Sequence, residues 1–412
     1  MKPLQFLILI FLLSSSLFAQ EKVPTAEGGI LNATTWNFNE GRLPLNGNWI
    51  FHKNELLDFP DAKSVSGAVA AFPEVWNPEI QYGTYQLRVI MPNEALAYAL
   101  EIPDLYCSYS ILVNGKKVAE AGKVGKTKDT TTPQWIPQAA VFGDPGDTLT
   151  IVLQISNFYH SKGGAKEPIY LGEAEAVQRH HAVARNSSLI ESLVLAILGL
   201  SFFVIYYVRE EKKKITFYFS LLCINWAIRA IFSNNYAFTS FFPDFNWGIM
   251  IRIEYITLFL MMIWAILFLA RLFPNESSKT IKYAFVGVNC IFTALTVVTS
   301  PAFFTEWLNI YLIVAGFLLL FGVTIIIRAW INERSGVRPV LLCLFLCIAL
   351  FGYDISVYEG FVLTTYNAVL FSIGYITIFF LLGVSLLYHL QIFKGDGSSS
   401  TLTFEDLYGK SK

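Results

Sequence analysis

Charge is what this chain has least of. Asp, Glu, Lys and Arg make up only 15% of its 412 residues, against about 25% in soluble globular proteins. The formal net charge is −1, so no cationic surface points to nucleic acid. Cysteine is equally sparse. Of five cysteines, only Cys107 lies outside the apolar runs, and no CxxC occurs. That excludes a disulfide framework and a zinc site, and no other cofactor is implied. What the chain has instead is apolar residues at 54%, aromatics at 16% and a mean hydropathy of +0.49. That composition belongs to a membrane protein.

Residues 1–19 read as a secretory signal: Lys2 is the positive end, Leu4 to Leu13 the apolar run, and Ala19 a small residue before Gln20. The run is shorter than the roughly 20 apolar residues a spanning helix needs. If it stays uncleaved as an anchor, the following segment is still exported. Residues 20–180 then alternate as strands do. "TLTIVLQIS" places Leu149, Ile151, Leu153 and Ile155 on one face, and "TYQLRVIMP" does the same with Tyr85, Leu87 and Val89. Asn114-Gly115 between apolar flanks predicts a two-residue hairpin, because both turn positions need positive φ. About eight such strands make an all-β jelly roll or sandwich.

Residues 187–393 carry seven apolar runs of spanning length, near 187–208, 215–233, 249–271, 281–300, 307–328, 338–357 and 365–388. The loops after the first, third and fifth hold "REEKKK", "RLFPNESSKTIK" and "RAWINERSGVR". Those after the second, fourth and sixth hold no Lys or Arg. Cations collect on the cytoplasmic side, so the β domain is expected outside and the tail, residues 394–412, inside the cytoplasm.

The stretches "LNGNWIFHKNELL", "YGTYQLRVIMP", "ILVNGKKVAEAGKVG" and "LQISNFYHSKGGAKEPIYLG", followed by "IRIEYITLFLMMIWAILFLARLFP", carry a resemblance. In this order the chain resembles bacterial seven-transmembrane receptors with diverse intracellular signalling modules, from about residue 30 to 393. The resemblance implies a galactose-binding-like outer jelly roll, a seven-helix transducer in the cytoplasmic (inner) membrane and a cytoplasmic output module. The tail departs from that pattern. It has no heptads, no phospho-acceptor His motif, no GGDEF-like run and no glycine-rich nucleotide loop. The expectation is therefore a receptor acting through a cytoplasmic signalling protein in trans, such as a kinase, or a fragment of a longer receptor.

Two sets of residues are candidates for function. In the outer domain, Trp49, Trp76, Trp135 and Tyr85 are rings of the kind that stack on sugars. Asn157, His160 and Lys162 cluster around Gly163-Gly164 and supply oriented polar groups. The bland reading is that the rings are core and the loop merely shaped. Trp76, Trp135, Asn157, His160 and Lys162 are expected as ligand contacts, and no metal is. In the membrane domain, Glu191, Arg229, Arg252, Glu254 and Asp354 fall near one end of their helices. Ionisable groups inside a bilayer face the bundle interior and pair, so a mutually neutralising network is expected, either structural or coupling the outer domain to the helices. No Ser/His or paired-acid constellation lies at mid-membrane, and no polar chain crosses it, which disfavours an intramembrane enzyme or transporter.

The expected function is a non-enzymatic membrane sensor. Its outer domain would recognise a carbohydrate or other small extracytoplasmic ligand and pass that state through seven helices. The alternative is a glycan-binding or tethering membrane protein that does not signal.

Overall fold

The computed structural model describes residues 23–58, 67–92, 97–209, 213–358 and 367–390. The expected signal segment and the tail from Lys394 lie outside these. The described chain divides into two compact units. The first takes in residues up to Pro133, then Pro137–Phe158 and Lys162–Arg179. The second takes in His180 onward together with two tripeptides, Gln134–Ile136 and Tyr159–Ser161.

The first unit is an antiparallel β-sandwich. Its larger sheet runs in the order β4 (Ala68–Phe72), β3 (Gly47–Lys53), β6 (Tyr82–Ile90), β11 (Thr148–Ser156), β8 (Ser108–Val113), β9 (Lys116–Ala121), and β1 (Ile30–Asn32) joins β6 in parallel. A second sheet runs β10 (Gln138–Gly143), β7 (Tyr98–Ile102), β13 (Tyr170–Glu173), β2 (Leu43–Pro44). A two-residue ladder pairs β5 (Val75–Trp76) with β12 (Gly163–Gly164). The alternating residues of β6 and β11 behave as their period demands. Tyr85, Leu87, Val89, Leu149, Ile151, Leu153 and Ile155 are all buried, whereas Arg88 is exposed. Strand β11 is also covered on its other side. Val152 packs against Leu112 and Leu57, and the Gln154 amide donates to the Leu57 carbonyl at 3.0 Å and to Asp58 at 2.9 Å. The β8–β9 turn is Asn114-Gly115, with φ of 48° and 85°, the primed geometry that suits hairpin twist.

The second unit is helical: α1 (Ala174–Val208, whose first residues lie in the sandwich unit), α2 (Lys214–Phe232), α3 (Trp247–Leu272), α4 (Lys279–Val298), the short α5 (Pro301–Glu306), α6 (Leu308–Ile331), α7 (Val337–Tyr358) and α8 (Ala368–His389). Six of these are long and apolar enough to cross a membrane. The seventh expected span, α7, contributes the apolar stretch Val337–Leu350 among the described residues. The largest difference from expectation is at α1, which begins at Ala174 rather than near 187. "AEAVQRHHAVARN" contains no Gly or Pro and several strong helix formers, so nothing stops the helix from running on into polar sequence.

One apolar cluster joins six helices, with Leu195, Phe202, Phe219, Leu222, Phe268, Leu318, Ile325, Val340, Phe379 and Leu386 among its members. Helices α1 and α2 approach closely at Gly199. A Cβ there would lie 3.1 Å from both the Cys223 Cβ and the Ser220 carbonyl, and the Ser220 hydroxyl donates to the Gly199 carbonyl at 2.8 Å. Small residues and short polar contacts of this kind replace hydrophobic driving force between helices in lipid.

Candidate functional site

The sandwich contains a cleft of about 420 Å³ beside its edge strand β4. Its walls are Phe51, Ala68, Ala70, Glu74, Trp76 and Tyr85, with Lys53 and Asn77 also lining it. Register explains the opening. Phe51 lies opposite Tyr85 on β6 and opposite Ala68 on β4, and Ala70 is two residues along the same edge. Methyl groups therefore stand where larger side chains would close the space. His52, which follows Phe51 on β3 and pairs with Thr84, also lines the cleft.

The floor of the cleft is aromatic. Phe51 and Tyr85 lie 4.4 Å apart, Phe51 and Trp76 5.6 Å, and Trp76 stacks with Tyr85 at 6.1 Å. The Trp76 indole donates to the Tyr85 hydroxyl at 2.8 Å. Burial pushes the Tyr85 phenol above its ordinary range, so it remains a neutral hydroxyl. Trp76 is 4% exposed and Trp49 fully buried. These rings are a floor and a core rather than open stacking platforms.

Asn157 stands next to the cleft residues through Gly163. A Cβ on Gly163 would meet the Trp76 ring at 3.1 Å and the Asn157 amide nitrogen at 3.4 Å. The Asn157 amide is engaged on both sides: its oxygen accepts from the Cys107 thiol at 3.1 Å and its nitrogen donates to the Lys162 carbonyl at 2.8 Å. Trp76, Asn157 and Lys162 thus gather around the Gly163-Gly164 strand of the first unit.

Trp135 and His160 belong to the second unit. Both are buried, with ring centroids 5.7 Å apart. Trp135 also meets Tyr236 at 5.3 Å and Trp247 at 5.4 Å. In the same unit the Ser161 amide donates to the Thr305 hydroxyl at 3.1 Å.

The residues of the expected charge network are held by the following hydrogen bonds. Glu191, on α1, accepts from the Trp226 indole of α2 at 2.6 Å and from the Ser372 hydroxyl of α8 at 2.8 Å. Arg229 donates to the backbone carbonyl of Glu254 at 2.7 Å. The Tyr236 hydroxyl donates to the Glu254 carboxylate at 3.2 Å. Arg252 donates to the carbonyls of Gly248 at 2.7 Å and Thr299 at 2.9 Å. Both arginines thus bond backbone carbonyls, and both oxygens of Glu191 are held by neutral donors. Thr299 ends α4 with an orphan carbonyl, which gives Arg252 a backbone acceptor. Asp354 lies on α7, with its side chain outside the described residues.

Sequence reasoning missed Trp226, Ser372 and Tyr236 as partners. Trp226 carried a signal, since Asn225, Trp226 and Arg229 put three polar-tipped groups within one turn of an otherwise apolar helix. Among the described residues no group of three His, Cys, Asp or Glu could hold a metal ion.

Residues 190–389 match the family described as 7TM diverse intracellular signalling. The helical segment therefore belongs to this membrane signalling family, and the chain is a multi-pass membrane protein. Among solved structures, a Faecalibacterium prausnitzii beta-glucuronidase matches at 13% identity and a TM-score of 0.25, covering 32% of this chain and 31% of that one. A Bacteroides uniformis beta-glucuronidase matches at 19% identity and a TM-score of 0.24, covering 32% of this chain and 17% of that one. The chain thus spans less than a third of the length of either. No curated protein matches it.

Proposed function

We propose that this protein is a membrane receptor whose sandwich recognises a small extracytoplasmic carbohydrate and whose helices pass the bound state to a separate cytoplasmic protein. The observation that carries the reading is the signalling-family match over residues 190–389, on a chain that also bears a ligand-sized cleft. The cleft is at the small end of the roughly 300–1,000 Å³ range of ligand pockets. Its aromatic floor and two alanine methyls offer an apolar surface, and exposed Lys53, Glu74 and Asn77 offer both donors and acceptors. A pyranose ring has that same division between an apolar face and hydroxyl edges.

Orientation follows from the alternation of cations between loops, which supports a sandwich outside the cell and a cytoplasmic carboxyl terminus. The protein acts on its partner without chemistry of its own. Signalling requires only that ligand bind two arrangements of the receptor unequally.

The experiment is a calorimetric titration of the full chain in nanodiscs with a panel of mono- and disaccharides, on wild type and Ala70→Leu. The Leu side chain fills the cleft at an edge strand without entering the core. At least one sugar binds wild type and loses its affinity in Ala70→Leu. A sugar bound equally by both proteins places recognition elsewhere, and no binding by any panel member removes the carbohydrate reading.

A further inference from the structure

We propose that the turn between α6 and α7 binds the phosphate of an anionic phospholipid, whose acyl chain lies along the adjoining helix walls. A cavity of about 970 Å³ opens at this turn. Its polar end is Arg334, Ser335 and Arg338 together with one acid, Glu333, and its apolar walls include Trp330, Ile331 and Leu342. Those three walls are among the large apolar side chains that the protein leaves exposed, at 58%, 69% and 48%. In a spanning bundle such faces meet hydrocarbon.

The turn is built rigidly. Glu333 and Gly336 take left-handed conformations, with φ of 49° and 78°. The Ser385 hydroxyl of α8 donates to the Gly336 carbonyl at 2.6 Å. A Cβ on Gly336 would stand 3.0 Å from the Ser385 carbonyl and hydroxyl oxygens, so the start of α7 sits tightly against α8. From the other side, buried Glu276 accepts from Arg334 Nε at 2.6 Å and from the Asn332 amide at 3.3 Å.

This arrangement leaves cationic capacity unspent. Arg334 uses Nε on Glu276, and its two terminal nitrogens have no hydrogen-bond partner among the described residues. Arg338 has none at all among them. Guanidinium groups match phosphate oxygens with paired, charge-assisted hydrogen bonds. Basic pockets beside membrane helices hold lipid headgroups for this reason. A soluble acidic protein could satisfy the same cations, but it could not cover Ile331 and Leu342 at hydrocarbon depth. A lipid satisfies both ends, with Trp330 at the headgroup level where indoles concentrate.

The test titrates the detergent-solubilised full chain with short-chain phosphatidylglycerol or phosphatidylcholine and reads bound lipid by native mass spectrometry. Phosphatidylglycerol binds and phosphatidylcholine binds markedly less. Arg338→Gln weakens phosphatidylglycerol on the order of five-fold, the effect of about one cation near a lipid surface. Arg338→Lys keeps most of the affinity, and Trp330→Ala weakens it with the charges intact. Lys279→Gln, a neutralisation at the same end of the bundle but outside the cavity, leaves it unchanged. Equal binding of the two lipids, or equal loss in Arg338→Gln and Lys279→Gln, overturns the proposal. Competition by glycerol phosphate at the same concentration as lipid would make this a free-phosphate site. Displacement of lipid by a short poly-glutamate peptide would make it a protein-docking site.

Discussion

The Trp226 indole donates its proton to a carboxylate oxygen of Glu191 at 2.6 Å, joining α2 to α1 across 35 residues of sequence. Ser372 holds the second oxygen of the same carboxylate from α8. An acid that is 6% exposed is thus fastened by two neutral donors from two other helices. Replacing it with an apolar residue strands both donors. Glu191→Leu should lower the unfolding temperature in detergent, and so should Trp226→Phe. The double mutant should lose less than the sum, with a coupling of about 0.6–1.7 kcal/mol, the average-to-maximum range for hydrogen bonds between membrane helices. A thermal-unfolding double-mutant cycle measures it, and strict additivity would mean the bond does not form in the bilayer-derived state.

Arg252 acts separately from that pair. Its guanidinium spans the Gly248 and Thr299 carbonyls, and it shares no partner with Glu191. Arg252→Leu should destabilise by about 1–3 kcal/mol, because it leaves the carbonyl at the end of α4 unpaired. Arg252→Lys should recover part of that loss. Combined with Glu191→Gln, the effects should add within about 0.3–0.5 kcal/mol. A rescue of Arg252→Leu by Glu191→Gln would mean that the two charges pair directly.

The pH response of the sandwich should follow Asp104. Burial pushes its carboxyl up to about 6, although Lys166 Nζ, 3.2 Å away, pulls it down. The folded state therefore holds this proton to higher pH than the unfolded chain, whose carboxyl titrates near 3.9. The sign is that stability falls as pH rises between those values, because the folded state binds more protons there. Asp104's own contribution is then fully present below about pH 4 and lost as pH rises through about 6. Asp104→Asn should remove that slope. Thermal unfolding of the full chain at several pH values, wild type against Asp104→Asn, reads it. Identical pH profiles would refute the shift.

Membrane topology has its own check. A cytoplasm-active reporter fused after Ser335, in the α6–α7 turn, should be active, and the same reporter after Ser300, before α5, should be silent. The cation asymmetry between alternate turns is the cause. Activity in the Ser300 fusion alone would invert the protein.

The helices were legible because apolar runs of spanning length are bounded by cations and turn residues. The expected spans 215–233 and 249–271 compare with Lys214–Phe232 and Trp247–Leu272. The start of α1 was hidden because its first turns are polar, so hydrophobicity gave no edge to detect. Strands β6 and β11 and the Asn114-Gly115 hairpin were readable from period and turn chemistry. The cleft was not. It depends on which residues of β4 face Phe51, and "AVAAF" states no register. The partners of Glu191 were likewise hidden, since a lone Trp and a lone Ser at positions 226 and 372 acquire meaning only when α2 and α8 meet α1.

If the proposed receptor passes the bound state of the cleft to its helices, Trp226 should report on it. The full chain is labelled with 5-fluorotryptophan in nanodiscs, and the Trp226 fluorine resonance is assigned by its loss in Trp226→Phe. A sugar found by the titration above is then added to saturation. The Trp226 resonance should shift or redistribute in wild type and stay put in Ala70→Leu. A Trp226 resonance unmoved in wild type, with the sugar demonstrably bound, would mean that the protein tethers its ligand without signalling.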